Sequence, residues 1–108
     1  MYGNAYVNRV QSREFNPNPS KGWVQLSRVR LWAPGTSHEH ISYLGDTKAM
    51  WTRAQIVAWI ESGEYGFYTN DGYRKAYVHV RTSSLGTKYV QTYADYVYTD
   101  NLLALPRA

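Results

Sequence analysis

No cysteine occurs among the 108 residues, which excludes disulfides and thiolate metal sites at once. Nor is there an apolar run near the roughly 20 residues that a membrane-crossing helix needs. The opening stretch, Met1-Tyr2-Gly3-Asn4-Ala5-Tyr6, has neither the basic nor the apolar block of a secretory leader. Together these absences predict a cytoplasmic protein with no membrane partner. Dense basic runs are missing too. The net charge is +4, and residues 1–60 carry all of the surplus, with seven basic and three acidic side chains. Such a balance favours solubility and a loose attraction to phosphate, but falls short of a dedicated DNA binder.

What the chain has in excess is aromatic: eleven tyrosines and four tryptophans. Tyrosine buries its ring and leaves its hydroxyl seeking water or a partner, so it collects on half-buried sheet faces and at interfaces. At this length a single domain spanning residues 1–108 is expected. One helix stands out. Thr52 and Gln55 form a capping box, Trp51 and Ile56 have the spacing of a hydrophobic staple, and Gly63 stands where a left-handed residue ends a helix. Ile56, Val57 and Ile60 make the apolar stripe that must lie on something.

The rest reads as strands and turns. A first strand is predicted over Tyr6–Arg13, then a loop at Asn16–Gly22, where two prolines remove donors. A long second strand, Trp23–Ala33, changes apolar phase partway, because Val24 and Leu26 fall on one parity and Val29 and Leu31 on the other. The slip predicts a bulge or sharp bend near Ser27–Arg28, with the two strands forming a hairpin. A short strand follows over His38–Leu44. Beyond the helix come Tyr65–Thr69, a turn at Asn70-Asp71-Gly72, Tyr73–Thr82, and Lys88–Ala94. In Tyr73–Thr82, Ala76, Val78 and Val80 form an apolar face fit to lie beneath the helix, and the opposite face is wet. Leu102, Leu103 and Leu105 close the chain over an open end of the core. The predicted fold is α+β, a twisted, mostly antiparallel sheet of about five to six strands with one α-helix packed on one face.

Lys88-Tyr89-Val90-Gln91-Thr92, Ala94-Asp95 and Asp100-Asn101-Leu102-Leu103-Ala104-Leu105-Pro106 resemble the C-terminal signature of a small bacterial and phage family catalogued as a domain of unknown function. The family's pattern is a Tyr-Leu-Arg-Thr strand, an Asp-Gly turn and a closing Asp-Asn-Leu-Leu-x-Leu-Pro. The resemblance covers about residues 29–106 and leaves residues 1–22 outside as an added strand or arm. Gln91 stands in place of the usual arginine, and Tyr96 in place of the usual glycine. It implies the fold and a bacterial or phage origin, and brings no activity with it.

Catalysis needs a nucleophile with a base, paired carboxylates, or a metal. His38 and His40 would point the same way in a strand and share an ion, with His79 as a further ligand, but nothing local completes the site, so no metal is assigned. Asp71, Asp95 and Asp100 sit where turn or cap chemistry already explains an aspartate. The glycines fall at ends and turns rather than in a phosphate-cradling loop. No enzyme and no cofactor is expected. Binding is the stronger class. Tyr73, Lys75, Tyr77, His79 and Arg81 interleave rings with basic heads on one strand face, and Arg28, Arg30 and Trp32 repeat the theme on another. The first reading is a small non-enzymatic factor, accessory or inhibitory, that engages another protein or a second copy of itself through these residues. The second is weak nucleic-acid binding, with rings stacking bases and cations holding phosphates.

Overall fold

The computed structural model describes residues 18–108. The strand expected over Tyr6–Arg13, and with it the hairpin joining the first two strands, lies outside the described residues. The fold is α+β as expected, but the strands divide into two sheets rather than one. In chain order they are β1 (Trp23–Gln25), β2 (Arg28–Leu31), β3 (Ile41–Gly45), β4 (Met50–Thr52), β5 (Gly66–Asn70), β6 (Lys75–Thr82), β7 (Lys88–Ala94) and β8 (Val97–Thr99), with helix α1 (Arg53–Ser62) between β4 and β5. The larger sheet has the order β1-β5-β6-β7-β8, and the smaller one β2-β3-β4.

The long strand predicted over Trp23–Ala33 is where the division arises. Its change of phase marks a break at Leu26–Ser27 where the chain passes from one sheet to the other, which answers to the expected bend and not to a bulge within one strand. β1 pairs parallel with β5, Leu26 donates its N–H to Tyr68 in the larger sheet, and Ser27 donates its N–H to Gly45 in the smaller. β2 then runs antiparallel to β3. Val24 and Leu26 thus serve one sheet, Val29 and Leu31 the other. The other pairings between these strands are antiparallel, and Val29 also makes an isolated parallel bridge to Arg107.

α1 has the predicted ends. Thr52 and Gln55 cap each other, with Gln55 N–H donating to Thr52 Oγ1 at 3.1 Å and Thr52 N–H donating to Gln55 Oε1 at 2.9 Å. Gly63 closes the helix at φ 80°. Ile56, Val57 and Ile60 are its buried residues. They enter one core with Leu26 from the crossing between the sheets, Val29, Ile41 and Leu44 from the smaller sheet, and Phe67, Val78, Val80 and Val90 from the larger. Leu102 is fully buried in the same cluster, and Leu103 and Leu105 pack against it, as the closing leucines predicted.

Two elements differ from expectation for local reasons. The strand predicted to begin at His38 begins at Ile41, because Ser37 starts a 3-10 turn over His38–His40. Its successive side chains point about 120° apart, so His38 and His40 do not share a face. β4 was not foreseen: Asp46 Oδ1 accepts the N–H groups of Lys48 and Ala49, tightening a turn that folds Met50–Thr52 back on β3.

Candidate binding face

The larger sheet has one face toward the core and one away from it, and β6 shows the division. Ala76, Val78 and Val80 are buried with the core, as predicted. Tyr77, His79 and Arg81 point to the other face. There the cross-strand register does what the sequence pattern of one strand could not show. Tyr68 pairs with Tyr77, Tyr77 with Tyr93, and Tyr93 with Tyr98. Four tyrosines therefore line up in a single rung across β5, β6, β7 and β8. Adjacent rungs hold His79 opposite Gln91, and Arg81 opposite Tyr89.

In register the rung meets Gln25 on β1, and Trp23, two positions earlier, brings its ring to the rung from the side. It pairs with Gly66, and a β-carbon at Gly66 would come within 2.5 Å of the indole. The missing side chain lets the indole lie across β5, with ring centroids 6.4 Å from Tyr68 and 5.2 Å from Tyr77. This is a strand glycine explained by an aromatic neighbour covering it. At the other side His79 stacks on Tyr93 at 4.8 Å, and Tyr98 meets Tyr93 edge-on at 5.0 Å. The rings fix one another, so the face is a preformed aromatic pavement.

The cations of this face rest on its rings. Lys75 Nζ lies 5.1 Å from the centre of Tyr68, and the Arg81 guanidinium lies 4.0 Å from that of Tyr98. Arg81 also donates to Gln91 Oε1 at 2.9 Å, and Gln91 Nε2 donates to the Thr99 carbonyl at 3.2 Å. Burial pushes the His79 imidazole down to about 4, so it is neutral at physiological pH.

The residues predicted for a site are thus partly united. Lys75, Tyr77, His79 and Arg81 share the face. Its expected wetness fails at His79, which is only 7% exposed beneath the neighbouring rings. Tyr73 leaves the set: β6 begins at Lys75, and Tyr73 stands 98% exposed in the preceding turn, where its N–H donates to Asp71 Oδ1. Arg28, Arg30 and Trp32 belong to the smaller sheet and its edge. There Arg30 lies 5.4 Å from the Tyr43 ring, and Arg53 lies 4.8 Å from that of Trp32. Sequence reading of the β6 face missed Trp23, Tyr68, Tyr93 and Tyr98. The alternation of Tyr89, Gln91 and Tyr93 was visible, but placing Tyr93 beside Tyr77 required the β6–β7 register.

The histidines raised as metal ligands do not converge. His40 Nδ1 lies 2.8 Å from Ser37 Oγ, and His38 Nε2 lies 3.8 Å from Asp100 Oδ1. Burial is the main cause that lowers the His38 pKa, the Asp100 carboxylate opposes it, and Arg81 adds to it. Among the described residues no group of three or more metal-ligating side chains comes together. No helix among them is long and apolar enough to cross a membrane.

Residues 25–106 match a family described as "Protein of unknown function (DUF3892)", and the chain belongs to that family. No curated protein and no solved structure matches the chain.

Proposed function

We propose that this member of the DUF3892 family is a small, non-enzymatic binding domain that engages another protein through the outer face of its larger sheet. The observation that carries this reading is the rung Tyr68–Tyr77–Tyr93–Tyr98, with the Trp23 ring packed against Tyr68 and Tyr77. Tyrosine, tryptophan and arginine are the side chains that concentrate binding energy at protein interfaces, and rings already packed together lose little entropy on docking. Lys75 and Arg81 give the surface a positive bias, so the matching partner surface is flat and carries carboxylates. An accessory or inhibitory role in a bacterial or phage cytoplasm is the setting this reading takes, following the closing Asp100–Pro106 signature.

Nucleic-acid binding finds less support. Among the described residues the cations on the rings of this face are Lys75 and Arg81, and both lie where a base would otherwise stack. The deciding experiment compares capture by the wild-type chain with capture by Lys75→Glu and Tyr77→Ala, their folding checked by circular dichroism. Loss of a specific protein in both variants, with wild-type capture surviving moderate salt, supports the reading. Labelled single-stranded nucleic acid that binds at low salt and falls away steeply as salt rises would replace it with the second reading. Identical capture by all three chains would remove the face from consideration.

A further inference from the structure

A cavity of about 240 Å³ is walled by Val24 from β1, Trp51 from β4, Trp59 from α1, and Tyr65 and Phe67 from the chain entering β5. β1 ends the larger sheet and β4 the smaller, so the cavity sits between two sheet edges, beside the helix. Val24 pairs with Phe67, whose ring belongs to the core. The cavity therefore lies on the core side of the larger sheet, apart from the aromatic face.

The end of the helix builds it. Gly63 turns the chain, and the N–H groups of Glu64 and Tyr65 both donate to the Trp59 carbonyl, at 3.1 and 3.4 Å. The Tyr65 ring is thereby folded back to 5.6 Å from the Trp59 ring, at 79° to it. Trp51 meets Trp59 from the smaller sheet at 6.0 Å and 86°. Phe67 backs all three at 6.2 to 6.5 Å. Phe67 is in the core, whereas Trp51, Trp59 and Tyr65 are half-buried, so three rings stand between the core and water.

This lining is selective. It holds no lysine, arginine, histidine, aspartate or glutamate. Its polar side-chain groups are indole N–H donors and one phenol. A primary ammonium would be stripped of water with almost no acceptor in exchange. An anion would meet the negative faces of the rings. Those faces attract a cation lying within about 6 Å of their centres, tryptophan most strongly. Ring centres only 5.6 to 6.5 Å apart put several within that reach of one group. The helix adds to this field, because Trp59 lies near its negative end and its last turn carries no basic side chain. The lysines paired to the helix end and the residue after it are matched, Lys88 with Glu61 at 2.7 Å and Lys21 with Glu64 at 3.7 Å.

We propose that this cavity binds a quaternary ammonium group such as the one choline carries. The group is cationic but has no N–H to leave unpaired, and its methyl shell matches the apolar walls. It is also compact, which suits a cavity below the usual range for drug-sized ligands. Three half-buried rings leave the site partly open, so binding is weak, in the millimolar range. This inference is independent of the outer face.

The test is an NMR titration of the full chain at constant ionic strength, following its four indole N–H signals. The ligands are choline, ethanolamine and 3,3-dimethylbutan-1-ol, each to roughly 50 mM. Ethanolamine keeps the charge without the methyl groups, and the alcohol keeps the shape without the charge. Choline should move the Trp51 and Trp59 signals and leave those of Trp23 and Trp32, and the other two ligands should bind at least about fivefold more weakly. Trp51→Leu should weaken choline at least about fivefold and leave the alcohol within about twofold, a split that lost packing alone would not produce. If circular dichroism shows that variant unfolded, the order of ligands on the wild-type chain decides. Sedimentation with phosphatidylcholine vesicles distinguishes the sources: a chain carried down takes the group from a lipid headgroup, and one left in solution takes it from a free solute. The proposal is overturned if choline leaves the Trp51 and Trp59 signals in place, or if the alcohol or ethanolamine binds as tightly as choline.

Discussion

A single imidazole links the aromatic pavement to pH. His79 is stacked on Tyr93 and largely shut off from water, so the folded chain holds it neutral down to about pH 4. In the unfolded chain it takes a proton near pH 6.5. Between these values the unfolded state binds more protons than the folded one, so stability rises with pH across that window. His38, lowered in the same direction, adds to the slope. The contribution is complete above about pH 6.5 and is lost as pH falls toward 4. After discounting for residual solvent screening it amounts to roughly 1–2 kcal/mol. Urea unfolding at pH 7 and pH 4.5 should show the difference, and His79→Phe, which keeps the stack and removes the proton site, should flatten it. A slope unchanged in His79→Phe would assign the effect to other groups. The position of His79 on the outer face could be read from strand alternation alone. Its burial could not, because the rings that cover it come from β7 and β8.

At the scale of elements, the β7–β8 hairpin carries a cost. Asp95 and Tyr96 both adopt positive φ, 52° and 69°, and Tyr96 is 91% exposed. Two consecutive left-handed residues suit the twist of a tight hairpin, but a side chain other than glycine, asparagine or aspartate pays for the conformation. Tyr96→Gly should therefore stabilise the chain by about 1 kcal/mol, measured as a higher urea midpoint with unchanged slope. A destabilised variant would mean that the Tyr96 ring makes contacts worth more than its backbone strain. The hairpin also shows how unevenly elements declare themselves in sequence. α1 was legible to its ends because Thr52, Gln55 and Gly63 act within a few residues of each other. β7 was legible through its alternation. β8 was not, since Val97–Thr99 is too short for a pattern and its pairing depends on an unusual turn. His38–His40 looked extended because nothing in the chemistry of those residues distinguishes a strand end from a 3-10 turn.

Across the whole molecule, the core is shared by two sheets and one helix, and Leu26 sits where they meet. It is buried in the common cluster, immediately before the chain passes from the larger sheet to the smaller. Leu26→Ala should cost about 2–4 kcal/mol, because residues from both sheets and the helix would have to move to refill the space. A single unfolding transition with reduced midpoint is the expected result, and two separate transitions would show that the sheets unfold independently. The change of phase between Leu26 and Val29 was plain in the sequence. Its meaning was not, since a reversal of faces does not say which neighbouring strand each face will find, and those partners lie 10 to 43 positions away along the chain.

The transfer at Leu26–Ser27 also governs how the molecule can come apart. Three residues before it and four after it are stitched by backbone hydrogen bonds into separate sheets, so this dipeptide acts as a rivet through two plates. Peeling one plate from the other loads the rivet directly. After a protease nick at that joint the helix, side-chain contacts and the backbone bonds of Val29 with Pro106 and Ala108 would be left to clamp them.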